Sequence, residues 1–445
     1  MKQALSFKEL FAIGLMTFSL FLGAGNIIFP PTLGHDAGSK MWEAVLGFLI
    51  TGVGLPLLGV AAVARAGGNI QHIGHRIHPM FATIFSVLTY LSIGPLLAIP
   101  RTSAVAFEIG VAPFLPEAAK TSAWSLFVYS VVFFGITYWL CLNPSKLVNR
   151  FGKVITPFMI ALLAILLIRG ALAPLGDYTP TTLEKPFSKG FLEGYNTMDT
   201  LAALVFGIVI ANAVRERGIS EQKAQAKVIM QSGFIAAIGL SLLYIGLTYL
   251  GATSGPAVGA YENGGQLITL LSKHLLGQTG LTLLGFAVTF ACLTTAVGLI
   301  ISCAAFFSKI TGNRLSYRAI MTMLILSSLT ISNFGLSTIL KISVPLLVTL
   351  YPIAIVLIVL TLCGRAFQEH RSVYTGGVIG AALISVLDGL TVTGVKTERI
   401  TEALSKLPLM SDLMSQGMGW IIPALLGIII GGIVSLSSFR KTVTQ

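Results

Sequence analysis

Charge is what this chain has least of. Asp, Glu, Lys and Arg together make up 10% of its 445 residues, while 54% are hydrophobic. A soluble domain carries roughly 25% charged residues, so a water-facing surface cannot be assembled from this pool. Disorder is excluded by the same arithmetic, because a disordered chain needs little apolar content and much charge. Cysteine is also sparse. The four present (Cys141, Cys292, Cys303, Cys363) lie in apolar stretches without paired spacing, which argues against a disulfide framework or a thiolate metal site and for small core residues. Catalytic signatures are missing too: there is no helical His-Glu-x-x-His pair, no Gly-x-Ser-x-Gly elbow and no phosphate-binding Walker loop. An ATP-driven pump is therefore disfavoured and no organic cofactor is expected.

What the chain has instead is long uncharged runs. Ala44 to Ala64, Thr121 to Ser145, Leu275 to Ser308 and Ile342 to Gly364 each exceed the ~20 helical residues needed to cross a hydrocarbon core. The rest of the chain, read the same way, gives twelve candidate spans centred near residues 20, 52, 95, 132, 160, 206, 238, 294, 323, 353, 383 and 429. The expected fold is an all-α polytopic membrane protein forming one transmembrane domain over 1–445. The first span follows Lys2 and Lys8 as a signal peptide would, but its apolar run continues to Phe29, so a retained helix is expected.

The formal charge of +12 suggests nucleic acid until the charges are located. Twelve spans put both termini on one side. The loops on that side hold 18 basic residues, among them Lys2, Lys8, Arg76, Lys146, Arg150, Lys153, Arg215 and Arg365, against four acidic ones. The opposite loops hold nine of each. This asymmetry follows the positive-inside rule, places both termini in the cytoplasm and removes nucleic acid as a partner. A His72-x-x-His75-x-x-His78 cluster in one such loop lacks a Cys or carboxylate to complete a metal set, so a solvated loop is expected.

Two spans carry residues that interrupt helices. Gly23, Gly25 and Asn26 fall near mid-depth of span one, with Pro30 and Pro31 expected to close it. Phe206 and Gly207 fall at a similar depth in span six, where close helix packing is the competing explanation for the glycine. Backbone groups exposed by unwinding at that depth cost several kcal/mol each unless a ligand, an ion or water meets them. Spans 1–5 map onto spans 6–10 with shifts of about 186 to 199 residues, and an odd-numbered repeat must enter the membrane inverted. The expected units are 7–175, its inverted counterpart 194–364, and two further helices over 371–438.

Three stretches carry a family resemblance. Gly23-Ala-Gly-Asn-Ile-Ile-Phe-Pro-Pro31, Gly94-Pro-Leu-Leu-Ala-Ile-Pro-Arg-Thr102 with Glu108, and Asn196-Thr-Met-Asp-Thr-Leu-Ala-Ala-Leu-Val-Phe-Gly207 resemble signatures of the branched-chain amino acid:cation symporters, the bacterial system II carriers for leucine, isoleucine and valine. The resemblance runs the whole chain. It implies a LeuT-type five-plus-five inverted repeat with discontinuous helices 1 and 6, residence in the bacterial inner membrane, and sodium as coupling ion. Ala291-Cys-Leu-Thr-Thr295 is similar to the pattern that completes the shared sodium site of that fold. By resemblance, Ala291 offers its carbonyl and Thr294 and Thr295 their hydroxyls, with carbonyls near Ser19 and Leu22 completing the set.

A zwitterionic amino acid needs its carboxylate, its ammonium and its aliphatic side chain each satisfied. Backbone donors at Gly23, Ala24, Gly25 and Asn26, and at Phe206 and Gly207, suit the carboxylate, carbonyl ends suit the ammonium, and Ala203 and Val205 suit an aliphatic wall. Such a pocket separates Leu, Ile and Val only modestly. Charge at depth is expensive, so Arg101 is expected to pair with Asp199 or Glu108, as a buried structural pair or as an outer gate. Ile28 stands where neurotransmitter-type sodium symporters carry a gating Arg, so their gate does not transfer. Proton coupling, with Asp199 or Glu108 as carrier, remains the alternative to sodium. No obligate protein partner is expected.

Overall fold

A computed structural model describes residues 5–120, 122–142, 155–219, 221–255, 258–364, 369–406 and 409–443. Lys2, Lys146, Arg150, Lys153 and Arg365 of the basic loops lie outside them. Among the described residues regular structure is helical throughout, with no strand. The first helix, α1 (Phe7–Phe21), starts on a capping box: Glu9 N–H donates to the Ser6 hydroxyl, and Ser6 N–H donates to the Glu9 carboxylate. It stops at Phe21, and α2 (Ala24–Ala37) begins after the two-residue break Leu22–Gly23. Pro30 and Pro31 lie inside α2 and do not end it. The expected stop at these prolines is corrected to Gly38, whose positive φ of 47° terminates the helix.

The chain continues through α3 (Met41–Leu49), a wide π turn at Ile50–Gly54, α4 (Leu55–Arg65) and the short α5 (Ile70–His75). Helices α6 (Pro79–Leu91) and α7 (Ala98–Gly110) are joined by a second π turn, Ser92–Leu96, that contains the non-helical Gly94. After α8 (Ala123–Cys141) and α9 (Thr156–Leu172) comes a bent pair, α10 (Pro186–Tyr195) and α11 (Asp199–Arg215), which meet at 41°. Then follow α12 (Gln222–Ala252), α13 (Gly264–Ile310, kinked at Gly277), α14 (Tyr317–Ser332), α15 (Leu336–Cys363), α16 (Arg371–Val392) and α17 (Ile421–Val443).

Among the described residues, seven helical segments are long and apolar enough to cross a membrane, or eight with the bent pair counted as one span. Three shorter apolar helices accompany them: Thr156–Leu172, Tyr317–Ser332 and Ile421–Leu436. Each of the twelve expected centres falls in a helical segment. The outward faces are apolar. On α8, Phe127, Val131, Val132 and Ile136 are exposed between Trp124 at one end and Trp139 at the other. The two tryptophans are about 22 Å apart along a helix rising ~1.5 Å per residue, a spacing that suits two interfacial belts.

Without a hydrophobic drive in lipid, helices associate by close approach at small residues. Helices α2 and α12 cross on Gly34 and Gly251, where an added Cβ would sit 1.9 Å from the Thr248 and Pro31 carbonyl oxygens respectively. Helices α3 and α10 cross on Gly47 and Gly190 in the same way. These two crossings clamp α2 and α10, the helices that follow and precede the two chain breaks. Of the cysteines, Cys141, Cys292 and Cys303 are buried as expected, whereas Cys363 is exposed.

Candidate functional site

A helix end leaves its last carbonyls without internal donors. At the end of α1, Leu22 N–H satisfies Phe18 O at 2.8 Å, but Gly23 N–H turns away to Asn26 Oδ1 at 3.0 Å. The Ser19, Leu20 and Leu22 carbonyls are met instead by α13. Thr294 Oγ1 lies 3.4 Å from Ser19 O and 3.0 Å from Ala291 O. Thr295 Oγ1 lies 3.4 Å from Leu20 O and 3.2 Å from Leu22 O. Ser19, Leu22, Ala291, Thr294 and Thr295 are thus brought together, joined by Leu20, which sequence reasoning missed because carbonyls leave no trace in residue identity. Six oxygens converge here at the negative end of the α1 dipole.

Across the break, α2 presents its N-terminal first turn. Asn26 holds it: Oδ1 caps Gly23 N–H, while Nδ2 donates to Asp199 Oδ2 at 2.5 Å and also bonds the Tyr244 hydroxyl. Tyr244 donates in turn to Asp199 Oδ2 at 3.1 Å. This buried triangle joins α2, α11 and α12. Tyr244 was not singled out from sequence, since a lone tyrosine in an apolar span is indistinguishable from a packing residue.

The second break lies at Asn196–Met198, between α10 and α11, and Met198 is left-handed with φ 66°. The interruption expected at Phe206–Gly207 is therefore corrected. Both residues lie within the continuous α11, and a Cβ on Gly207 would come 2.5 Å from Val63 Cγ1, so that glycine serves packing against α4. A continuous helix presents one face. Asp199, Ala202 and Phe206, spaced i, i+3, i+7, line the cavity between the breaks. Ala203 packs toward Gly59 instead, and Val205 is fully buried away from the cavity. Ala202 lines the cavity where they do not.

Arg101, on α7, does not pair with a carboxylate. Among the described residues no ion pair within 4.0 Å joins it to Asp199 or Glu108. Its guanidinium donates to the carbonyls of Asn196 (2.7 Å) and Thr197 (3.2 Å), the two orphaned by the second break, and lies over the Phe29 ring. The expected pairing failed because a break offers acceptors that the sequence does not show. Glu108, two turns further along α7, accepts from Asn263 Nδ2 at 2.7 Å and lines a separate vestibule of about 700 Å³.

The cavity between the breaks is lined by Gly23, Ala24, Asn26, Arg101, Asp199, Phe206 and Thr295, with Gly25 wedged beside the Arg101 guanidinium. Its free volume of about 20 Å³ is enough for one water molecule and too little for an amino acid. Elsewhere, His78 caps α6 by accepting from Met80 N–H, and His72 bonds Ala66 O. Among the described residues no group of three or more His, Cys, Asp or Glu side chains is placed to hold a metal ion.

Comparison with known proteins assigns the chain to a family. A family model described as branched-chain amino acid transport protein matches residues 6–438. The branched-chain amino acid permease BraB of Bacillus subtilis is 46% identical over 98% of this chain and 97% of its own length. The branched-chain amino acid transport system 2 carrier protein of Pseudomonas aeruginosa is 45% identical over 95% of each chain. The Escherichia coli permease BrnQ is 37% identical over 100% of both. Among solved structures, the nucleobase-cation-symport-1 family transporter Mhp1 in a closed conformation superposes with a TM-score of 0.62 at 14% identity, covering 97% of this chain and 93% of its own. A manganese transporter from Eremococcus coleocola superposes at 0.58 and 15% identity, covering 99% and 97%. At these identities the likeness concerns the fold, which is that of the LeuT-type transporters. The fold and the full-length identities agree: this chain belongs to the branched-chain amino acid transport proteins, and it is a transporter rather than an enzyme.

Proposed function

We propose that this protein imports leucine, isoleucine and valine together with sodium, by alternating access across the bacterial inner membrane. The observation that carries this reading is the convergence of the Ser19, Leu20, Leu22 and Ala291 carbonyls with the Thr294 and Thr295 hydroxyls at the first break. A hard monovalent cation prefers neutral oxygens, and the C-terminal end of α1 adds a favourable dipole. The first turn of α2, beginning at Ala24, borders the cavity, and the positive end of its dipole favours the substrate carboxylate on that side. Phe21, Ala202, Phe206 and Leu299 supply the apolar wall for a branched side chain.

In this reading the chain crosses the bilayer twelve times as one transporter domain. The units 7–175 and 194–364 form inverted repeats, 371–438 adds two helices, and both termini lie in the cytoplasm. Because the two breaks sit at the same cavity, rocking one repeat against the other exposes it to alternate sides. The protein acts without an organic cofactor, nucleic acid or obligate protein partner. Proton coupling is the second reading, favoured by one observation: Asp199 is a buried carboxylate (3% exposed) bonded to the helix bearing the first break.

Leucine uptake into proteoliposomes, with a sodium or a proton gradient imposed separately, tests the assignment. Stimulation by inward sodium at constant pH is expected. Uptake that follows the proton gradient and ignores sodium transfers the coupling role to Asp199.

A further inference from the structure

Arg101 and Asp199 are each 3% exposed and line the same cavity, yet they do not bond each other. A buried charge without a counter-ion is costly, and chains normally avoid it by pairing. Here the two charges are held apart from opposite sides. The Asn196 and Thr197 carbonyls pull the guanidinium toward the second break. Asn26 and Tyr244 pull the carboxylate toward α2 and α12, both through Oδ2. Neither arrangement saturates its group. Arg101 Nε is buried with no hydrogen-bond partner, and a guanidinium has five donors against neutral acceptors only. A carboxylate has two acceptor oxygens, and the Asn26 and Tyr244 bonds both reach Oδ2 of Asp199.

A cavity with a separated cation and anion and an apolar remainder is complementary to one class of ligand, a zwitterion with an aliphatic tail. We propose that Arg101 and Asp199 recognise the two ends of the substrate: the Arg101 guanidinium receives the α-carboxylate and the Asp199 carboxylate receives the α-ammonium. This rests on the amino acid reading above. The fork of the guanidinium matches a carboxylate bidentately, which carbonyl oxygens do not. With a cavity of about 20 Å³ the guanidinium rests on the break carbonyls, and widening of the cavity is what frees its fork for the ligand. Gly25 keeps the path clear, since a Cβ there would lie 2.8 Å from Arg101 Nη2.

A cycle crossing variants with substrate analogues separates recognition from architecture. Binding of leucine, of leucinol (ammonium without carboxylate) and of 4-methylpentanoate (carboxylate without ammonium) is measured on the purified full-length protein by ligand-dependent thermal shift. Arg101→Gln should weaken leucine about 100-fold while changing leucinol less than about threefold. Asp199→Asn should weaken leucine comparably while leaving 4-methylpentanoate nearly unchanged. Arg101→Lys, which keeps the charge and loses the fork, should fall between wild type and Arg101→Gln for leucine and match wild type for leucinol; it serves if the glutamine variant does not fold. Parallel losses for leucine and for both analogues overturn the assignment and leave both residues architectural. Wild-type protein that fails to bind leucine overturns the amino acid reading and this assignment together.

Discussion

The two chain breaks are built from different materials. At Leu22–Gly23 a glycine ends one helix, and the exposed carbonyls meet two threonine hydroxyls while a side chain three residues on caps the next helix. At Asn196–Met198 no glycine is present; a methionine adopts the left-handed conformation and an arginine from another helix takes up the orphaned carbonyls. The left-handed turn costs about 1–2 kcal/mol in a residue with a Cβ. The first break is written locally, and the second is imposed by its neighbours. That difference suits their positions: the first keeps oxygens available beside α13, whereas the second is tied to a charge that its own helix does not carry.

Gly25 stands between the two breaks, so a side chain there disturbs both. Gly25→Val brings atoms against Arg101 Nη2 and, at 3.2 Å from the Cβ position, Asn196 O. Leucine uptake should fall more than about 100-fold at normal membrane abundance, since overpacking a closed site costs ~1–3 kcal/mol or more and mispositions both helix ends. Retention of uptake would mean that the breaks do not work as one site. Asn26→Ala removes the cap of the first break and a donor to Asp199. Leaving these buried groups unpaired should lower stability by ~2 kcal/mol, read as an earlier detergent melting transition.

Thr295→Ala deletes one oxygen from the first break only. The sodium concentration for half-maximal uptake should rise about tenfold, equivalent to ~1.4 kcal/mol, with little change at saturating sodium. An unchanged sodium dependence removes Thr295 from the ion site. The smallest effect on function belongs to Gly207→Ala, away from either break. It should destabilise the protein by ~1–3 kcal/mol through contact with Val63 and leave leucine affinity unaltered, and Val63→Ala should restore the loss. A shifted leucine affinity would return Gly207 to the binding site.

The contrast between the breaks also explains which parts of the site were legible. Ser19, Leu22, Ala291, Thr294 and Thr295 were reachable because a motif on one span and a glycine on another mark them. Phe206 and Asn26 line the cavity, while the helix break expected at Phe206–Gly207 falls instead at Asn196–Met198. Taking Gly207 for a break rotated the expected pocket onto Ala203 and Val205 and missed Ala202, since glycine at a helix crossing and glycine at an unwound turn are the same letter. The partner of Arg101 was missed because carbonyl acceptors appear only when a helix stops, and nothing in Asn196-Thr-Met198 announces that it does.

Composition by itself determined that this chain belongs in lipid: too little charge to clothe a surface, and apolar runs long enough to span. Local chemistry determined the first break, through Gly23 and the reach of Asn26. Only the tertiary structure decided the second. It stands because α10 is clamped to α3 at Gly47 and Gly190 while α11 packs on α4 through Gly207, leaving the three residues between them to turn. Arg101 then reaches that turn from a helix nearly one hundred positions away. Backbone acceptors and the separation of buried charges are properties of assembled helices, and no single segment carries them.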